Sequence, residues 1–511
     1  LSIGANIIWE NLEDLDLSEN NIEDEGAIAI SGNNSWKRLK RLDLGSTRIG
    51  DEGAEAIAKN ETWFCLEELI LSRNLIGDKG ATEIGGNAIW TNLRLLSLES
   101  NEIGDEGASA ILYNKIWVNL EEVYLYNNAI SEQLMEELDN TIEEMSQASV
   151  IIYDIKNPTP RECVVQYSNT KIVDIRSESL SDSDVIVIGR DNTWDYLNGL
   201  CLIENKIEAH VAIAIGKNET WRNLRRLCLD KNKIGDEGAA SIGSNSTWVD
   251  LDELSLSDNV IGDKGATAIA KNSTWSKLSS LSLHSNMIGD EGAISIASNT
   301  TWMSLLVLKL NNNEIGDNGA KAIANKSTWS KLRQLNLSSN KIGNEGGFSI
   351  GSNTTWINLE DLWLGANNIG DEGAAAIGSN TMWVNLRFLY LSKNEIGDEG
   401  ATAIGTNTTW SILTKLSLSN NKIGDKGATA IGTNTTWSQL ECLYFDTNKI
   451  GNEGAISIGS NTSWIKLEKL WLAENEIGDE GAAAIAKNVT WNELKELYLN
   501  SNQIGDDGAV A

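Results

Sequence analysis

The sequence predicts an α/β solenoid, built from short strand-plus-helix units stacked strand beside strand. Three observations carry this expectation. An isoleucine heads an IGDEGA-like phrase at Ile22, Ile49, Ile76, Ile103 and Ile130, then at Ile207, Ile234, Ile261, Ile288, Ile315, Ile342, Ile369, Ile396, Ile423, Ile450, Ile477 and Ile504, a step of 27 with no insertion inside either run. Within each step, alternating leucines give way to apolar residues at helical spacing. Finally, the chain has 511 residues and is 41% apolar, enough to bury a core yet longer than one compact core usually grows. A fixed period of this length is the signature of a repeat array.

The unit Leu66 to Asn92 shows how each element arises. Leu66, Leu69 and Leu71 alternate as a short strand with one face inward, and Asn74 stands where the chain must turn. Asp78 is a good helix N-cap, and Ala81 and Ile84 fall on one helical face. Asn87 suits the left-handed stop at the helix end. A unit this small cannot cover its own apolar face, so neighbours must do it.

Two arrays are expected, 1–130 and 180–511, separated by an interruption at 131–179. Leu180 lies 27 before Ile207 and heads a worn copy, LSDSDVIVIGRDNTW, while the step from Ile130 to Ile207 is 77, four short of three periods. Between them, Leu134, Met135, Leu138, Ile142 and Met145 mark an amphipathic helix over 131–147, and Val150 to Ile155 reads as a strand. The stretch also holds both prolines, Pro158 and Pro160, and reads either as decayed repeats or as a hinge between arrays. The chain begins at Leu1 rather than Met and stops at Ala511 inside a unit, so it reads as a fragment or processed product. Leu1 sits at nearly the phase of Val510 and Ala511, so a second copy would continue the stack head to tail as a filament.

The phrase LxxLxLxxNxI, as in Leu224, Leu227, Leu229, Asn232 and Ile234, resembles the leucine-rich repeat, and IGDEGAxAI followed by NxTW resembles its ribonuclease-inhibitor-like subfamily. The resemblance covers nearly the whole chain. It implies a curved horseshoe or superhelical rod with a concave parallel sheet, convex short helices and a binding surface at the outward strand positions. It also implies ligand binding rather than chemistry. The departures are a short helix and a Trp where an aliphatic residue is common.

Register turns single residues into columns. The Asn before each anchor, such as Asn205, Asn259 and Asn394, is placed to bridge backbone groups of neighbouring units in a buried ladder. Seventeen of the 19 Trp, from Trp9 to Trp117 and from Trp194 to Trp491, share one column and read as core. Acidic pairs such as Asp51-Glu52 and Asp236-Glu237 open the helices, where the dipole favours them; a calcium-binding edge is the sharper alternative. Asn followed two residues later by Ser or Thr recurs at Asn33, Asn60, Asn218, Asn245, Asn272, Asn299, Asn353, Asn407, Asn434, Asn461 and Asn488, and out of phase at Asn325. These are glycosylation acceptors in a secreted chain, or else helix-ending caps. Along the outward strand position lie Trp363, Tyr390, Ser417, Tyr444, Trp471 and Tyr498, with Phe388 nearby, a candidate surface for a sugar, a peptide or another copy of the chain. Aromatics packed together only to stiffen the sheet are the alternative. The same column carries Cys201 and Cys228 on adjacent strands, either a cross-strand disulfide or two free thiols.

Composition excludes several functions. A net charge of −32 repels nucleic acid and anionic membranes, and five cysteines cannot build a disulfide scaffold. No apolar run reaches a membrane span of about 20 residues. The two histidines, His210 and His284, join no catalytic or metal-ligating pattern, so no enzyme activity, metal or cofactor is expected. The reading is an acidic, non-enzymatic repeat scaffold whose partners are other proteins, further copies of itself or glycans. Its setting is extracellular or cell-surface, with a cytoplasmic one as the alternative. A ligand-recognition domain using the aromatic strip is the rival function.

Overall fold

A computed structural model describes residues 12–18, 22–120, 122–131, 134, 149–151, 172–174, 186, 188–190, 194 and 197–504. The chain falls into two compact units, Leu1–Asp174 with Thr193–Leu197, and Ile175–Asn192 with Asn198–Ala511. Each is an open solenoid. In the first, strands Asp14–Asp16, Arg41–Asp43, Glu68–Ile70, Leu95–Ser97, Glu122–Tyr124 and Ser149–Ile151 form a parallel sheet in chain order. In the second, twelve consecutive parallel strands run from Gly199–Cys201 to Glu496–Tyr498. The register is one repeat per strand, so that Leu254 pairs Leu227 and Leu281 pairs Leu254.

Each strand is only three residues long because one inward leucine suffices. Leu278, Leu281, Leu283, Ile288, Ile296 and Trp302 are all fully buried, and the same set recurs in the neighbouring repeats. From Trp36 to Trp117 and from Trp194 to Trp491 the Trp column is core, as expected, while Trp9 lies outside the described residues. The indole N–H of Trp248, Trp275 and Trp302 has no hydrogen-bond acceptor among the described residues.

The asparagine ladder forms as the register suggested. Asn286 Nδ2 donates to Leu256 O of the preceding repeat and to Leu283 O of its own, both at 3.0 Å. Its Oδ1 accepts from Asn259 N at 3.0 Å and Ile261 N at 2.9 Å. The residue just before this Asn adopts a left-handed backbone in repeat after repeat, with φ of 54° at Ser285, 56° at Asn312 and 55° at Lys393. That conformation costs a non-glycine residue about 1–2 kcal/mol and persists because the ladder fixes both sides of it.

The helices correct one expectation. Gly77, not Asp78, stands at the N-cap position of helix Asp78–Gly85, in an extended conformation. Asp78 instead reaches the following repeat, where its Oδ1 accepts from Gly104 N and Gly107 N, each at 2.8 Å. The acidic residue therefore caps its neighbour's helix, which couples the units as well as ending them. Asn344 does the same for Gly370 at 2.8 Å and Gly373 at 3.1 Å. Glycine is required at the receiving end. A Cβ on Gly265 would sit 2.7 Å from Asp236 Oδ1 and 3.0 Å from Ala239 Cβ, so bulk there would push the carboxylate off its donors.

In the expected interruption, a strand is present at Ser149–Ile151, paired with Glu122–Tyr124. The helix expected over 131–147 lies outside the described residues except for Ser131 and Leu134. The chain ends, on which head-to-tail stacking rests, also lie outside them.

Candidate ligand-binding face

The outward strand positions of the second unit come into line because the strands are in register. Trp363 pairs Tyr390, Tyr390 pairs Ser417, Ser417 pairs Tyr444, Tyr444 pairs Trp471, and Trp471 pairs Tyr498. The rings touch. Trp363 and Tyr390 are stacked with centroids 3.8 Å apart, and Trp471 and Tyr498 stack at 5.0 Å. Tyr444 meets Trp471 edge-on at 4.6 Å. Most of these side chains are half-buried, with Tyr498 the most open at 44%.

Between the two aromatic groups lies Ser417, whose hydroxyl bonds to that of Ser392. Phe388 stands two residues before Tyr390, between Asp361 and Lys415 in the paired strands. The Lys415 ammonium lies 5.2 Å and the Arg387 guanidinium 5.4 Å from the centre of its ring. Burial raises the pKa of Tyr390 and of Tyr444, the latter also through a hydrogen bond to Cys442, so both hydroxyls are neutral at physiological pH. Glu496 anchors the far end, accepting from Trp471 Nε1 at 3.0 Å and from Lys469 Nζ at 2.7 Å.

The other candidate residues fare differently. Cys201 and Cys228 pair in register and are buried, but neither is in a disulfide. Parallel neighbours are held at the strand spacing of about 4.8 Å. A disulfide wants Cβ atoms about 3.8 Å apart, so closure would pinch the sheet. His284 is half-buried, and its Nδ1 lies 3.2 Å from Ser285 Oγ. Burial lowers its pKa, Asp230 and Asp258 oppose that and Lys309 adds to it. Ser257 Oγ pairs with Ser282 Oγ at 2.9 Å rather than with the imidazole. Among the described residues no three His, Cys, Asp or Glu side chains converge on a metal site, and no helix is long and apolar enough to cross a membrane.

Ten of the twelve acceptor asparagines are interior. Asn33, Asn60, Asn218, Asn245, Asn272, Asn299, Asn353, Asn407, Asn434 and Asn461 are between 3% and 7% exposed. In Asn272 the Nδ2 donates to Gly243 O at 2.9 Å and Asn245 O at 2.7 Å, both in the preceding repeat. Its Oδ1 accepts from Thr274 N at 2.8 Å, Thr274 Oγ1 at 2.9 Å and Trp275 N at 3.2 Å. The hydroxyl two residues on is thus part of an Asx-type turn. Of the two readings of this column, the packing fits the helix-ending cap, and a glycan on these nitrogens would have to displace it. Asn488 is half-buried and makes the same bonds, to Gly459 O and Asn461 O at 2.8 Å each, whereas Asn325 is exposed.

Comparison with known proteins agrees with the fold. A leucine-rich-repeat protein of Leptospira interrogans is 21% identical, with 78% of this chain and 88% of that one covered at a TM-score of 0.50. An internalin of Listeria monocytogenes is 20% identical over 71% and 94% of the two chains, at a TM-score of 0.46. A plant peptide hormone receptor is 19% identical over 92% and 79%, at 0.42. No curated protein matches the chain. The family model described as Leucine Rich repeat matches 10–31, 38–58, 64–85, 91–112, 222–243, 250–270, 276–297, 303–324, 330–351, 357–378, 384–405, 411–432, 465–486 and 492–511, more than half of all residues. With its parallel one-repeat register and asparagine ladder, the chain belongs to the leucine-rich-repeat family.

Proposed function

We propose that the chain is a non-enzymatic interaction scaffold that holds an extended polypeptide across the aromatic strip of its second unit. One observation favours a peptide over a sugar. Trp363 and Tyr390 lie face to face at 3.8 Å and 23°, and Trp471 and Tyr498 at 5.0 Å and 21°. A sugar needs an open aromatic face to stack on, and within each stacked pair the two facing sides are taken by the neighbouring ring. The half-buried Tyr390 hydroxyl, kept neutral by burial, suits the carbonyls and amides of a peptide. From Trp363 to Tyr498 the strip crosses five strand intervals, about 24 Å, which about seven extended residues would span. Within the family, the 27-residue unit and the IGDEGA phrase support the ribonuclease-inhibitor-like subfamily.

Panning a random dodecapeptide library against the intact chain, beside an array of immobilised glycans, tests the reading. Peptide retention that disappears in a Trp363→Ala, Tyr390→Ala, Tyr444→Ala, Trp471→Ala variant with an unchanged circular dichroism spectrum is the expected result. Retention of glycans and not peptides would reject it.

A further inference from the structure

We infer that this chain matures where no sequon-directed oligosaccharide transfer takes place, because glycosylation of its repeat asparagines and folding of its repeats exclude each other. In that transfer the side-chain nitrogen of Asn in Asn-x-Ser/Thr forms a bond to the anomeric carbon of a lipid-pyrophosphate-linked oligosaccharide. The bond from that carbon to the pyrophosphate breaks, and the nitrogen gives up one hydrogen as a proton. Here the nitrogen is committed. From Asn60 to Asn461 the Nδ2 of each buried acceptor donates to a carbonyl of the preceding repeat, at 2.6–3.1 Å.

In Asn245, Asn272, Asn299, Asn407, Asn434 and Asn461 both hydrogens are used, the second reaching the backbone oxygen of the equivalent Asn one repeat back. A sugar on that nitrogen removes one of the two bonds and must occupy the contact between stacked repeats, where the asparagines are at most 7% exposed. Units that cannot stack expose their apolar faces.

Timing closes the escape route. Transferases of this kind act on chains entering the secretory lumen, in competition with the stacking that makes these bonds to carbonyls 27 and 29 residues earlier, so burial in the finished fold gives no full protection. A glycosylating compartment would meet ten acceptor triplets whose modification the fold cannot accommodate. The triplet exists here for another reason: Thr or Ser at its third position donates to the Asn oxygen, as Thr247 Oγ1 does to Asn245 Oδ1 at 2.8 Å. Asn325 is the exposed exception and tolerates a glycan.

The test translates the full chain, fused to a cleavable signal sequence, with and without rough microsomes. The translocated chain is expected to gain several glycosidase-removable mass steps. It should also be cut by limiting protease roughly tenfold faster than the membrane-free product, since cleavage follows the population of open repeats. Blocking synthesis of the lipid-linked donor should return resistance to the membrane-free level. A translocated chain that carries glycans at the buried asparagines and resists protease equally would overturn the inference. So would one that escapes modification and folds, or one that stays sensitive when the donor is blocked.

Discussion

Asp263 Oδ1 accepts the backbone N–H of Gly289 at 2.7 Å and of Gly292 at 2.8 Å, so a carboxylate in one helix caps the helix of the next repeat. Asp263→Ala should therefore loosen the helix Asp290–Ser298 rather than its own, by about 1 kcal/mol. Asp263→Asn should be nearly neutral, because Asn344 and Asn452 make the same pair of bonds natively. Amide hydrogen exchange at Gly289 and Gly292 reads this directly, with an acceleration of roughly fivefold expected for the alanine. Acceleration confined to residues 263–270 would contradict the inter-repeat assignment.

The ladder should be more costly to break. Asn286→Ala strips partners from Leu256 O, Leu283 O, Asn259 N and Ile261 N in a buried setting. Each group left unpaired costs about 1–3 kcal/mol unless water reaches it. The loss should exceed that of Asp263→Ala at least twofold, measured by urea unfolding of both variants side by side. Equal losses would mean that the turn holds itself together without the side chain.

Much of this was legible in the sequence because the period of 27 fixes which residues meet. The inward leucines, the buried Trp column, the Asn ladder and the alignment of Trp363 with Tyr390 all follow from register alone. What was not legible depends on direction. Within one unit Asp78 looks like a cap for its own helix, yet Gly77 takes that place and Asp78 points forward. The acceptor triplets left two readings open, because Asn-x-Thr also encodes a buried turn and composition cannot separate the two uses. The left-handed residue left no signal, since Ser285, Asn312 and Lys393 share no chemistry beyond preceding the ladder Asn. Ring orientation along the strip is a matter of packing that residue type does not carry.

The Trp column should tolerate loss of its polar atom but not of its volume. Trp302 is fully buried and its Nε1 has no acceptor among the described residues. Trp302→Ala should cost about 3–5 kcal/mol. Trp302→Phe forfeits no hydrogen bond and should cost less than about half as much. Denaturant midpoints of the two variants decide, and a phenylalanine as damaging as alanine would reveal a hidden partner for the indole nitrogen.

Glu55 sets an acid limit on one local ion cluster. Hydrogen bonds from Lys59 first and Lys79 second, the latter at 2.9 Å, pull its pKa from 4.5 down to about 2. A folded value below the unfolded one means that the stabilisation is complete above pH 4.5 and fades as pH falls toward about 2. Carboxyl NMR titration should show a midpoint well below 4.5, moving upward as salt screens this partly exposed group. A midpoint at 4.5 in low salt would remove the cluster from the account.

One repeat breaks the pattern in a way that can be repaired. At the position that elsewhere carries the buried Asn stands Lys326, with Asn325 displaced to the exposed side. Thr328 Oγ1 is consequently buried without a partner among the described residues, whereas Thr274 in the equivalent place donates to Asn272 Oδ1. Asn353 in the next repeat keeps its bond to Ala324 O at 2.6 Å. Lys326 lies along Trp329, its Nζ 5.9 Å from the ring centre, and burial lowers its pKa. Exchanging the two residues, Asn325→Lys with Lys326→Asn, preserves composition and charge. It should restore the acceptor for Thr328 and release the ammonium to water, a gain of about 1–3 kcal/mol. Hydrogen exchange at Thr328 and Trp329 should slow, and the thermal midpoint should rise. A double variant no more stable than the parent would show that this repeat has relaxed around its lysine.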